Sequence, residues 1–346
     1  MSSIESAYCT EIAELIKDFR LGEIPIRTSS MVLNFLDDVN SVCTWMEKID
    51  RLNFLVGLNL SIRNHYWSKS RIQEEITSFF QSRNYDLWAG DWQIIQIEDL
   101  ASSQTQLAQQ LGFANPILSI NENTNKLFYI DDATFSGAQL NQHLGSLCRQ
   151  IWKMPIISRQ LTIFHLCEFS GVINEQIRSP LRSLREAKVD VHFERIGKFG
   201  ISETEDLPLG VLRPKFRSDY IDTLSDQTSA GVAKTYNWRS AEEIPFDGIF
   251  TSDEMRDLME RILMETGLHI ISLAKMPNSN LGPLGFVVNQ DNNRLGFGSM
   301  FCSCFNSSNN SPLAIWWGNP EYPANHTLRK WTPLLPRKIQ LKVTGA

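Results

Sequence analysis

The sequence predicts an α/β protein, a parallel sheet with flanking helices, joined to a helical N-terminal part and an α+β C-terminal extension. Three observations carry that prediction. Apolar runs at Leu127 to Ile130, "LTIFHL" (161–166) and "VDVHF" (189–193) alternate with two helical patterns, the order that a helix-wrapped parallel sheet requires. Roughly the first hundred residues repeat apolar positions at helical spacing. The final part breaks into short apolar runs between Asn, Asp, Gly and Ser turns.

In chain order, Ile12, Leu15, Ile16 and Phe19 share one helical face, and a second apolar pattern runs from Met31 to Met46. "NFLVGLNL" fits strand or helix equally. A third helix is expected from about Arg71 to Gln81, opened by Ser70 with Gln73 three residues on and lined by Ile72, Ile76, Phe79 and Phe80. "WQIIQI" reads as a short strand, and Ser103 to Leu111 as a helix closed by Gly112. After the strand at Leu127 to Ile130, Leu140, Leu144, Leu147, Cys148 and Ile151 mark one face of a helix, and Ile173 to Glu186 supplies the next. Glu194 to Pro245 is charged and polar, a long excursion suited to a lid. Thr251 and Glu254 carry cap spacing for a last helix through Leu258, Ile262 and Leu263, ending at Gly267. "HIISLA", "LGFVVN", "LGFGSMF" and "PLAIWW" read as strands. The divisions that follow are 1–90, 91–245 with its loop at 194–245, and 246–346.

With 346 residues and 42% hydrophobic content the chain buries a real core. A net charge of -6, from 33 basic and 39 acidic residues, gives no overall attraction for nucleic acid or anionic membrane. Any polyanion must meet a local site. No apolar run approaches the ~20 residues of a membrane span, and "MSSIESAYCTEIAELIKDF" is amphipathic rather than a signal peptide, so a cytoplasmic protein is expected. Cys9, Cys43, Cys148, Cys167, Cys302 and Cys304 match neither zinc nor redox spacing and read as reduced structural residues. The sequons at Asn306, Asn309 and Asn325 then carry no meaning.

"NKLFYIDDATFSGAQL" (125–140) carries the chemistry. Asp131 and Asp132 stand where a buried strand would end, and ligands of parallel sheets lie beyond such ends. Carboxylates are acceptors, suited to paired hydroxyls or a hydrated metal. The turn Ala133 to Gly137 leads into a helix, so its amides, with the Thr134 and Ser136 hydroxyls, suit a phosphate, and Gly137 lets an anion approach the backbone. Vicinal hydroxyls beside a phosphate describe a ribose 5-phosphate. The plainer alternative is that both aspartates cap the following helix.

"LFYIDDATFSGAQL" resembles the phosphoribosyl-pyrophosphate motif of type I phosphoribosyltransferases. The resemblance implies a phosphoribosyltransferase-like core in which Asp131 and Asp132 form the catalytic centre, bind the ribose hydroxyls and touch magnesium indirectly, through the ligand it accompanies. Ala133, Thr134, Phe135, Ser136, Gly137, Ala138 and Gln139 would form the phosphate loop. Phe135 and Gln139 depart from the family, which usually has hydroxylated residues at both places. The family's pyrophosphate loop lies some tens of residues earlier, where "SIRNHYWSKSRIQEE" offers the nearby cations Arg63, Lys69 and Arg71 but no glycine. Lys69 and Arg71 are its candidates.

The resemblance implies ribosyl transfer or N-glycosidic cleavage, with phosphoribosyl pyrophosphate or a nucleotide as ligand. A degenerate pyrophosphate loop implies instead a catalytically inactive nucleotide-sensing or partner-binding subunit. The acid pair followed by a tryptophan- and proline-rich tail also resembles a divergent bacterial group found with phage defence, which implies an antiphage effector or a protein partner in a defence complex. A third reading rests on residues alone: Trp316, Trp317, Tyr322 and Trp331 near Arg329, Lys330, Arg337 and Lys338 could stack single-stranded nucleic acid, although buried packing is the commoner use of such tryptophans. None of the six histidines has metal spacing; His165 and His192 read as structural.

Overall fold

The computed structural model describes residues 3–82, 92–95, 103–110, 120, 122–134, 137–169, 177–199, 212, 250–273, 281–286, 295–319, 321–323 and 325–337. The chain forms two compact units, Lys69–Leu207 and Met1–Ser68 with Pro208–Ala346. The unit boundaries therefore fall near 69 and 208, and the N-terminal helices share a unit with the C-terminal part.

The unit Lys69–Leu207 is the α/β core. It runs α4 (Lys69–Ser82), β2 (Trp92–Ile95), α5 (Ser103–Gln110), β3 (Lys126–Thr134), α6 (Ala138–Ile151), β4 (Arg159–Phe169), α7 (Arg178–Glu186) and β5 (Val189–Phe199). The four strands pair in parallel in the order β2-β3-β4-β5. Each step moves one strand over in the same direction, and right-handed crossovers then place α6 and α7 on one face. That face is the core of the unit: Leu127 and Tyr129 of β3, Leu161 and Ile163 of β4 and Val189 of β5 pack against Leu140, Leu144 and Leu147 of α6 and Leu184 of α7. The other face carries Phe128 and Phe164, against which α4 lays Phe80, with centroids 6.4 and 5.4 Å away, while Phe79 meets Phe164 at 5.5 Å.

Two expected boundaries move here. α4 begins at Lys69, so Ser70 lies inside the helix rather than at its cap. β5 runs to Phe199 because its backbone pairs with β4 from Arg159↔Val189 to Phe169↔Phe199, which overrides the charged composition that marked a loop from Glu194. The rest of that excursion, apart from Leu212 in its interior, lies outside the described residues, as does Gly112.

The other unit is mainly helical: α1 (Ser3–Leu15), α2 (Ser29–Val42), α3 (Lys48–His65) and α8 (Asp253–Leu273), with β1 (Tyr66–Trp67) paired in parallel to β8 (Cys302–Ser303) and a small hairpin of β6 (Leu281–Gly282) and β7 (Gly285–Phe286). The ambiguous "NFLVGLNL" is part of α3. α8 does not stop at Gly267 but continues through "HIISL"; Gly267 is there because a Cβ would lie 2.2 Å from the Pro283 carbonyl oxygen. Its cap is Ser252, whose hydroxyl accepts from the Met255 amide, rather than Thr251. "PLAIWW" forms the helical turn α9 (Leu313–Trp316) instead of a strand.

Trp316 donates its indole N–H to the Ser311 carbonyl and Trp331 donates to the Ala314 carbonyl. Both are buried, so neither offers a face for stacking bases. Lys338 lies outside the described residues. All six cysteines are free and buried. Among the described residues no helix is long and apolar enough to cross a membrane.

Candidate functional site

β3 does not end at Ile130. Its pairing with β4 continues through Asp131↔His165, Ala133↔Cys167 and Thr134↔Glu168, so the acid pair belongs to the last turns of the pleat. Alternation along a strand then places Asp131 and Asp132 on opposite faces of the sheet. Asp131 falls on the α6 face and is 5% exposed; Asp132 falls on the other face and is half-buried.

Each carboxylate is held by the next backbone amide: Asp132 N–H donates to Asp131 Oδ1 and Ala133 N–H to Asp132 Oδ1, both at 2.9 Å. The helix α6 starts on Gly137, which stands at its cap with φ 74°, in the left-handed region. Thr134 is buried beside Glu168, and Glu168 receives Arg195 Nη1 at 3.1 Å. Gly137 is buried and Gln139 exposed, while Phe135 and Ser136 lie outside the described residues.

Sequence reasoning missed the groups beneath Asp131. Tyr129, two residues earlier on the same face and fully buried, has its hydroxyl 3.1 Å from Asp131 Oδ2 and 2.7 Å from His143 Nδ1. His165, the strand partner of Asp131, stands edge-on to Tyr129 with centroids 6.0 Å apart. Both of its ring nitrogens lack a hydrogen-bond partner, and burial, with His143 nearby, holds its pKa down at about 3, so this imidazole is neutral. Cys167, on the same strand, is no nucleophile: burial first, then Asp132 and Glu168, push its thiol well above the usual range.

A signal for His143 was present. It falls on the apolar stripe of α6 between Leu140 and Leu147, where a polar residue is buried and needs a partner. The Glu168–Arg195 pair had none, because it depends on strand register.

The cations expected for pyrophosphate lie on α4. Lys69 is exposed at the start of α4, where its carbonyl accepts from Gln110. Arg71 is half-buried, its pKa lowered by burial against a raising influence from Glu75.

The PRTase-CE family model matches residues 42–337, more than half of the chain and parts of both units. The chain belongs to that family. PRTase-CE is phosphoribosyltransferase-like, in agreement with the motif at 127–140 and with the parallel sheet that carries it. A search of curated proteins returns no significant match.

Proposed function

We propose that the carboxyl end of the sheet binds a phosphorylated ribose, as phosphoribosyl pyrophosphate or a nucleotide, and carries out ribosyl transfer or N-glycosidic cleavage. The observation behind this is the acid pair at the end of β3 followed by a helix that starts on a left-handed glycine, in a chain of the phosphoribosyltransferase-like family. Asp131 and Asp132, which each accept a backbone amide, are acceptors of the kind that ribose hydroxyls need. Backbone amides around Gly137 suit the 5-phosphate, so Phe135 and Gln139 need not contribute hydroxyls. Displacement at the anomeric carbon then depends on positioning and on screening the leaving group.

Magnesium fits this reading as an ion that arrives with the ligand. Among the described residues no three metal-ligating side chains converge, whereas one or two carboxylates plus substrate phosphates suffice for magnesium. Bound in that way, the ion would neutralise the leaving pyrophosphate, and the acid pair would meet it only through the ligand it accompanies.

Calorimetric titration with magnesium and phosphoribosyl pyrophosphate, followed by assay for pyrophosphate or free base, tests the proposal. Asp131→Ala/Asp132→Ala is expected to lose at least a hundredfold in affinity, about 2.7 kcal/mol. Equal binding by wild type and double variant would sink it. A second reading, a nucleotide sensor without turnover, is favoured by the lack of glycine in the basic segment 61–75; binding without release would select it. Antiphage action, alone or with a protein partner, is the setting that either reading would serve.

A further inference from the structure

Proton accounting around Tyr129 decides more than packing. The hydroxyl has one proton to give, and Asp131 Oδ2 at 3.1 Å and His143 Nδ1 at 2.7 Å are both within its reach. Two arrangements of neutral imidazole make both of these contacts hydrogen bonds. In the first, Tyr129 donates to an ionised Asp131 and His143 donates to Tyr129 from Nδ1. In the second, Tyr129 donates to a bare His143 Nδ1 and a protonated Asp131 donates to Tyr129. The same tyrosine therefore couples the histidine tautomer to the state of the carboxylate.

Two features favour the first arrangement. Asp131 Oδ1 already accepts the Asp132 amide, and donors around a carboxylate favour its charged form. Hydroxyls of a bound sugar need Asp131 as an acceptor, which a protonated acid offers with one oxygen fewer.

We propose that Tyr129 and His143 are positioning residues which, through a relay from His143 Nδ1–H to the tyrosine oxygen and from Tyr129 O–H to Asp131 Oδ2, hold Asp131 as a fixed acceptor for the ribose. This rests on the ribose-phosphate reading of the site, but the relay has its own readout. With both sides of Asp131 tethered, one by backbone and one by Tyr129, the carboxylate has a single orientation before ligand arrives, and that lowers the ordering cost of binding. His143 touches no substrate in this scheme. It acts by keeping the tyrosine proton pointed at Asp131.

The test uses the whole chain with ¹⁵N-labelled histidine. Ring nitrogen shifts of His143, assigned by its loss in His143→Asn, should report a proton on Nδ1, the minority tautomer of free neutral histidine. Tyr129→Phe should return the ring toward the Nε2–H form. An Nδ1 without a proton in wild type overturns the relay whatever the ligand does. In titrations with magnesium and phosphoribosyl pyrophosphate, Tyr129→Phe and His143→Leu are each expected to weaken binding on the order of tenfold, and the double variant no more than either. His143→Asn, whose amide N–H can stand in for Nδ1–H, should recover most of the loss; failure to recover it in a chain with wild-type melting behaviour also overturns the relay. If wild type does not bind, the ribose reading falls, while the tautomer still decides for or against the relay.

Discussion

The two faces of β3 solve burial in different ways. On one side Phe128 stacks on Phe164 at 6.0 Å and both meet Phe80, an aromatic cluster held by shape. On the other, Leu127 gives way to Tyr129 and then Asp131, and the cost of burying polar atoms is offset by named hydrogen bonds to His143 and to backbone. One strand thus carries a face where volume matters and a face where donors and acceptors must be counted. The two should fail differently: loss of volume lowers stability everywhere, whereas loss of a donor changes the state of one carboxylate.

The largest effect belongs to the aromatic face. Phe164→Ala removes a fully buried ring that contacts Phe79, Phe80 and Phe128, and is expected to cost about 3–5 kcal/mol in urea denaturation. In the molecules that remain folded, the His143 ring signals should keep their wild-type positions. If they move, the two faces are not independent and the comparison breaks.

A smaller effect separates the polar face by pH. His165 has a pKa of about 3 when folded against an ordinary 6.5. As pH falls below the ordinary value, the unfolded chain takes up a proton that the folded chain refuses. This contribution is therefore present at neutral pH and is lost as pH falls from about 6.5 toward 3. Between pH 7 and pH 5 the loss is on the order of 2 kcal/mol. His165→Leu should lose correspondingly less stability over that interval, measured by urea titration at both pH values. It is also expected to match or exceed wild type at pH 7, because it removes two buried nitrogens that have no partner. An unchanged pH slope would remove His165 from the account.

How far these faces were legible differs in the same way. Strand and helix periods from Leu127 to Phe193 predicted β3, α6, β4 and β5 because both faces of the sheet are apolar for most of their length, and "IDDATFSG" announced a ligand end. That the strand continues through Thr134, and so parts Asp131 from Asp132, follows from pairing with β4, which local sequence does not encode. His143 was readable only by asking what a polar residue does on the apolar stripe of α6. The misread segments are short apolar runs that suit either structure: "HIISL" joins a helix because Gly267 lets Pro283 pack tightly against it, and "LAIW" turns because the Trp316 and Trp331 indoles find carbonyls there. Composition records neither neighbour.

The smallest effect on stability falls where the two faces meet the turn. Gly137 opens α6 with φ 74°, and an alanine there pays for a left-handed conformation, about 1 kcal/mol. If the turn only reverses the chain, Gly137→Ala will lose that stability and nothing else. If backbone amides near Gly137 take the 5-phosphate, a shift of the helix start moves several donors together, and affinity for phosphoribosyl pyrophosphate should fall by more than tenfold at a temperature where the variant is fully folded. Comparing that loss with Tyr129→Phe distinguishes the halves of the site. The tyrosine acts on the sugar end through Asp131, so its effect should vanish for a ligand without ribose hydroxyls, such as inorganic phosphate, whereas the glycine's effect should persist. Equal losses for both ligands in both variants would mean that the turn and the acid pair respond as one unit, and would remove the division of labour between sugar and phosphate.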